Sequence, residues 1–185
     1  MIGTMKVSAL AANRLNGEPV PEDLRILLEN GAELFELTGV RFQARKDWAP
    51  WLDTSHLSAQ ELSDPEVAAS LRATAEVAEL VAFVAAEEDG HYLGYWRGPE
   101  GRPVAECPVV VLDREGQFGL CAGSNLAEAI LSRVYGEERF QELREFLRSV
   151  GLPVHFQSQD DIPHPEVDLP PEVLHRELCD RYRAA

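Results

Sequence analysis

The 185-residue sequence predicts an α+β fold: one domain in which an antiparallel sheet of about four or more strands packs against helices, with a helical C-terminal extension. Two observations carry this. Between Leu80 and Ala122 four short apolar runs are separated by turn-forming residues. Connections that short force antiparallel neighbours, because a parallel crossover needs about a dozen residues or more. The runs are then closed by an amphipathic segment with a capping signal, as expected of a helix docking on the sheet.

Each element follows from its residues. Pro21 suits a first helical turn, Glu22 and Asp23 suit its dipole, and Leu24, Leu27 and Leu28 form one stripe. Asn30–Gly31 is expected to end that helix in a left-handed cap. AELFELTGVRFQA then either continues as helix or turns into a strand near Val40–Phe42. Lys46–Leu62, with two tryptophans, a proline and no clear period, reads as an ordered irregular loop pinned by its aromatics. Asp64 and Pro65 start a helix with Val67, Leu71 and Ala75 on its expected buried side.

Leu80–Ala86, His91–Arg97, Pro108–Leu112 and Gln117–Ala122 are the strands. Their turns are Glu88–Gly90, Gly98–Gly101 and Asp113–Gly116. On the second strand Tyr92 and Trp96 share one face and Tyr95 takes the other. Asn125 and Glu128 mark a capping box for a helix that turns Leu126, Ile130, Leu131 and Val134 to the sheet. Gly136 breaks it, and Glu137–Val150 forms another, with Phe140, Leu143, Leu147 and Val150 on one face and Gly151 as its stop. The domain is expected to span 1–151. Residues 152–185 extend it through a Pro- and Asp-rich crossing segment into a last helix with Leu174, Leu178 and Tyr182 four apart.

Charge narrows the function. Seventeen basic against 32 acidic residues leave −15, which argues against nucleic-acid binding, since phosphates demand a basic face. Residues 61–136 hold 13 acids and 5 bases, and no Lys or Arg occurs between Ala73 and Trp96. Such a field either keeps the protein dispersed or speeds encounter with a basic partner. No apolar run is long enough to span a bilayer, and the N-terminus lacks a signal-peptide core, so no membrane and a cytoplasmic setting are expected.

Candidate chemistry is thin. Cys107, Cys121 and Cys179 have no ligand-like spacing and read as buried free thiols. His155, His164 and His175 with Asp160, Asp161 and Asp168 read as a solvated linker, because Pro163 and Pro165 deny His164 a helical geometry. Ser124 reads as helix capping, and His91 as a structural imidazole. Asp53 with His56, or the Glu87–Asp89 run, is the nearest approach to an acid–base pair. No catalytic residue, metal or cofactor is expected. The informative cluster is aromatic: Trp48, Trp51, Tyr95 and Trp96, beside Glu87, Glu88 and Asp89, form the expected partner-binding face.

Pro21-Glu-Asp-Leu with Asn30-Gly31, then AAEEDGHYLGYW (Ala85–Trp96), PVVVLDREG (Pro108–Gly116) and AGSNLAEAIL (Ala122–Leu131) together resemble the SUKH superfamily of bacterial toxin-immunity proteins and fungal cell-wall regulators. The match covers roughly residues 20–135 and departs at the Asp47–Glu61 loop, at Asp89–Gly90 and in the C-terminal extension. The resemblance implies a non-enzymatic binding domain, an immunity-type inhibitor capping a toxin, often a nuclease. A basic nuclease suits the −15 charge. The alternatives are a small-ligand enzyme with a dispersed site, and a structural subunit that self-associates through Pro171–Arg183; the assembly is a monomer or homodimer.

Overall fold

The structure, a computed structural model, describes residues 2–185, with side chains from Val7 onward; Met1, where the N-terminal reading begins, lies outside them. Three helices lead, α1 (Ile2–Arg14), α2 (Glu22–Glu29) and α3 (Gly31–Thr38), followed by the two-residue strand β1 (Arg41–Phe42). After α4 (Ala59–Ser63) and α5 (Pro65–Ala78) come β2 (Val81–Ala86), β3 (Tyr92–Trp96), β4 (Val109–Leu112) and β5 (Phe118–Leu120). The chain closes with α6 (Leu126–Leu131), α7 (Glu137–Ser149) and α8 (Pro171–Arg183). The five strands form one antiparallel meander in chain order. The α+β class and single domain expected from the sequence are what the chain adopts.

Helices cover both faces of the sheet. On one face Val84, Leu93, Tyr95 and Val109 pack with Leu10, Leu24, Leu27, Leu34, Ile130 and Leu143 of α1, α2, α3, α6 and α7. On the other, Phe83, Trp96, Val110, Leu112 and Phe118 pack with Ala73 and Val77 of α5 and Leu178 of α8. Burial on both faces is why VAFVAA and VVVL show no polar alternation. Tyr92 and Trp96 do share one face, opposite Tyr95.

Three local expectations change. The α2 stripe is buried as expected, but Asn30 has φ −112°, Gly31 opens α3, and the left-handed cap falls at Gly39 (φ 74°). The buried stripe of α5 is Ala69, Ala73, Val77 and Ala78 with Thr74, while Val67, Leu71 and Ala75 flank it half-buried. The small side chains face inward because α8 lies along α5, and close approach requires them. Glu128 does not return to the Asn125 backbone. Asn125 accepts from the Glu128 N–H at 2.9 Å, and the Glu128 carboxylate accepts from the Ser124 N–H and Oγ at 2.7 and 2.8 Å. Asp23 completes that helix start from α2, accepting from the N–H groups of Leu126 and Ala127 at 2.9 and 3.2 Å.

The Asp47–Glu61 loop is pinned by aromatics, with Trp48 and Trp51 edge-to-face on each other and on Tyr92 at 5.3–5.7 Å. The C-terminal extension is integral to the domain. Leu152, Val154 and Ile162 are buried in the first core, Trp96 Nε1 donates to the Leu169 carbonyl at 3.0 Å, and α8 docks on α5 and β5 of its own chain. The apolar stripe of α8 is therefore occupied in cis.

His175 sits in that dock, its Nε2 3.0 Å from the Thr74 hydroxyl and its ring against Phe118. Burial holds its pKa below 6.5. A lowered histidine pKa leaves the folded state with fewer bound protons, so the neutral ring's contribution is complete above about pH 6.5 and is lost as pH falls. Acidifying from about pH 7 to 5 is expected to lower the urea midpoint more in the native protein than in His175→Gln. Parallel slopes would remove His175 from the acid response.

Candidate functional site

At one end of the sheet the β2–β3 turn, the C-terminus of α3, the α6–α7 connection and residues 159–164 enclose a cleft of about 1050 Å³. Each wall is locally determined. Gly90 (φ 89°) lets the chain reverse between β2 and β3, where the Glu87 N–H donates to the His91 carbonyl at 2.8 Å. Gly136 (φ 87°) precedes α7, and Gln159 Nε2 donates to the carbonyls of Ser132 (2.9 Å) and Val134. That amide staples the connection and leaves Tyr135 displayed at 95% exposure.

The cleft floor holds one ionic network. Arg133 grips Glu87 in bidentate fashion, Nε to Oε1 at 2.9 Å and Nη2 to Oε2 at 2.5 Å. Burial opposes the Arg133 charge, the Glu87 carboxylate outweighs it, and the guanidinium pKa rises. His91 Nδ1 lies 3.2 Å from both Glu87 Oε2 and Asp89 Oδ2. Glu87, Asp89 and His91 bring three ligand atoms within 4.8 Å of one another. Arg133 Nη2 already occupies that convergence, 2.9 Å from His91 Nδ1, so a metal cation would meet a guanidinium charge there. Glu87, Asp89, His91 and Arg133 thus form one polar network.

The cysteines and the Ser124 and Thr74 hydroxyls are each held in buried or bonded positions. Cys121 lines the cleft, but burial pushes its pKa to about 11, leaving the thiol protonated near neutral pH. Cys107 is pushed to about 11 for the same reason. All three cysteines are buried and free, as the sequence implied. Ser124 Oγ is engaged by Glu128. Thr74, the hydroxyl that meets an imidazole, is 7% exposed beneath α8 and away from the cleft.

What distinguishes the cleft is its rim. Glu36, Glu88, Asp89 and Asp160 join Glu87 along its lining, five carboxylates against the two guanidiniums of Arg133 and Arg139. A smaller depression beside it, sharing Asp89 and His91, adds Asp113 and Glu115 with Arg114. No protein-family model matches the chain, and neither a curated protein nor a solved structure matches it. The site is therefore read from its own geometry.

The structure divides the face expected from sequence. The side chains of Glu88 and Asp89 are 66% and 60% exposed at the cleft rim. Glu87 is 11% exposed and held by Arg133, so it shapes the floor instead of steering a partner. Trp48 and Trp51 are half-buried on the opposite face, packed against Tyr92. Tyr95 and Trp96 are each 2% exposed; they are core residues rather than part of a partner-binding face, because helices cover both faces of the sheet. Tyr135 and Glu36 are functional candidates that sequence reasoning missed, and Asp160, read from sequence as part of a solvated linker, joins them in the cleft lining. The available signal was Tyr135–Gly136, an aromatic outside both flanking helical stripes.

Proposed function

We propose that this chain is a non-enzymatic protein-binding domain that caps a basic polypeptide, in the manner of an immunity-type inhibitor holding a basic toxin such as a nuclease. The observation that carries the reading is the meeting of a carboxylate-ringed cleft with an aromatic side chain left 95% exposed. Aromatic anchors supply much of the energy of protein interfaces, and a one-signed field raises the encounter rate with an oppositely charged partner. A nuclease carries the positive face that phosphates require. The resemblance in Ala85–Trp96 and Ala122–Leu131 supports the same reading, since both segments border the cleft. The self-associating alternative loses its support, because the apolar stripe of α8 is used within the chain.

The test is capture from a lysate of the source cells on the immobilised protein, repeated with Glu88→Lys/Asp89→Lys and with Tyr135→Ala. The expected result is a basic polypeptide held one-to-one and released at about 1 M salt, where the screening length is ~3 Å. Charge reversal should slow its association about tenfold or more. Tyr135→Ala should weaken it by ~2 kcal/mol, about thirtyfold. Recovery of no basic polypeptide, or capture by both variants equal to that by the native protein, overturns the proposal.

A further inference from the structure

The β4–β5 ladder decides which way β5 turns its main chain. The Asp113 N–H donates to the Gln117 carbonyl at 3.0 Å and the Cys121 N–H to the Val109 carbonyl at 2.9 Å. Bonded and non-bonded pairs alternate along an antiparallel ladder, so Gly119 exchanges bonds with Val111, while Phe118 and Leu120 point N–H and C=O away from β4. Since β5 is the last strand, these groups lie on the free edge of the sheet.

Phe118 is buried at that edge, and beyond Leu120 residues 159–164 take over, with the Gly123 N–H donating to the Pro163 carbonyl at 2.8 Å. Between them Leu120 borders the cleft. Its side chain packs with Phe118 on the far face of the sheet, so the cleft meets Leu120 along the strand edge. Among the described residues no backbone group bonds its N–H or C=O outside the strand pairing. A sheet edge otherwise covered thus has a gap opening into the acid-ringed cleft, and an open edge is a template for another chain.

We propose that an extended basic segment of the protein partner adds to this edge, pairing its main chain with Leu120 while its Lys and Arg side chains meet Glu36, Glu88, Asp89 and Asp160. This rests on the protein-binding reading above. Charge complementarity selects the occupant: five lining carboxylates against two guanidiniums favour a cationic strand. A second copy would bring two such acidic rims together, and like charges facing each other oppose pairing. Strand addition takes affinity from main-chain bonds and specificity from alternate side chains, which suits a cleft that offers one free N–H and C=O pair beside many carboxylates.

Leu120→Pro against Leu120→Ala tests this. Both lose the side chain, but proline also removes the outward N–H and leaves the Gly119 and Cys121 ladder positions intact; strand edges are where proline is tolerated. The probe is a synthetic peptide alternating Lys and Val over about ten residues, used unmodified and N-methylated on alternate residues in each of the two phases. The unmodified peptide should bind the native protein and Leu120→Ala, and bind Leu120→Pro about tenfold more weakly. One N-methylation phase should abolish binding and the other preserve it, because one edge of an added strand faces β5. The methylated pair decides the matter even if Leu120→Pro fails to fold. No binding to the native protein, equal binding in both phases, or a native dimer in which the Leu120 amide already resists hydrogen exchange overturns strand addition. If Leu120→Pro binds like Leu120→Ala while Glu88→Lys/Asp89→Lys does not bind, strand addition falls and the acidic face stands. If neither variant changes binding, both readings fall.

Discussion

Gly94→Ala is expected to destabilise the fold by about 3 kcal/mol or more, a large fraction of the ~5–15 kcal/mol available to a domain. Gly94 lies in β3 opposite Phe83, where β2 shifts register between Phe83 and Ala85. A Cβ there would stand 2.7 Å from the Ala82 carbonyl oxygen, 2.7 Å from Val81 Cγ1 and 2.8 Å from the Phe83 Cα. Two of these contacts are backbone, so relief requires β2 and β3 to separate. The comparison is Gly119→Ala in β5, whose Cβ would meet its nearest atom, Val111 Cγ1, at 3.9 Å. Urea denaturation should place Gly119→Ala within about 1 kcal/mol of the native protein, as is usual for changes that create no clash. Equal midpoints for the two variants would mean that the bulge yields and that the close approach at Gly94 carries no strain.

Arg133→Met is expected to lower stability by about 3 kcal/mol, because it strands the Glu87 carboxylate at 11% exposure with His91 as its remaining side-chain partner. The pair ties the β2–β3 turn to the α6–α7 connection, so its loss should also loosen the segment that displays Tyr135. Glu87→Gln with Arg133→Met removes both charges together. Breaking one partner of a poorly solvated pair costs more than removing both, so the double variant should recover at least about 1 kcal/mol relative to additivity. An additive double variant would show that Glu87 finds water once Arg133 is gone.

Much of the architecture was legible because it rests on short-range chemistry. Asp64 caps α5 through the N–H groups of Glu66 and Val67, and Pro65 occupies its first position. Gly90 and Gly116, with φ 89° and 80°, make turns that side-chain-bearing residues rarely adopt. The stripes of α2 and α7 were readable because Leu24, Leu27 and Leu28, and Phe140, Leu143 and Leu147, recur at helical spacing. The helix Ile2–Arg14 was not anticipated, having a weak apolar stripe and no acidic residue in its first turn. The phase of α5 was misjudged for the opposite reason: Val67 and Leu71 are the larger apolar residues, but the neighbouring α8 selects the alanines.

The proposed binding face was legible only in its charge. Glu88 and Asp89 lie in a turn that sequence identifies and remain exposed. Glu36, Asp160 and Tyr135 come from α3, the C-terminal extension and the α6–α7 connection, far apart in the chain, and no local period marks their convergence. The aromatics Tyr95 and Trp96 looked like surface anchors because β3 alternates as a half-buried strand would, and although flanking helices were legible, local sequence does not say that they cover both faces of the sheet.

The sequence by itself determined the α+β class, the antiparallel meander, the Asp64 cap of α5 and the net charge of −15, because turns, such caps and charge count depend on residues within a few positions of one another. Tertiary structure decided which side chains remain at the surface, that α8 docks within the chain, and that carboxylates from three separate segments ring one cleft. Those outcomes depend on contacts between residues up to about a hundred positions apart, such as His175 with Thr74 and Asp23 with Leu126, and they exist only once the packed helices and sheet set those distances.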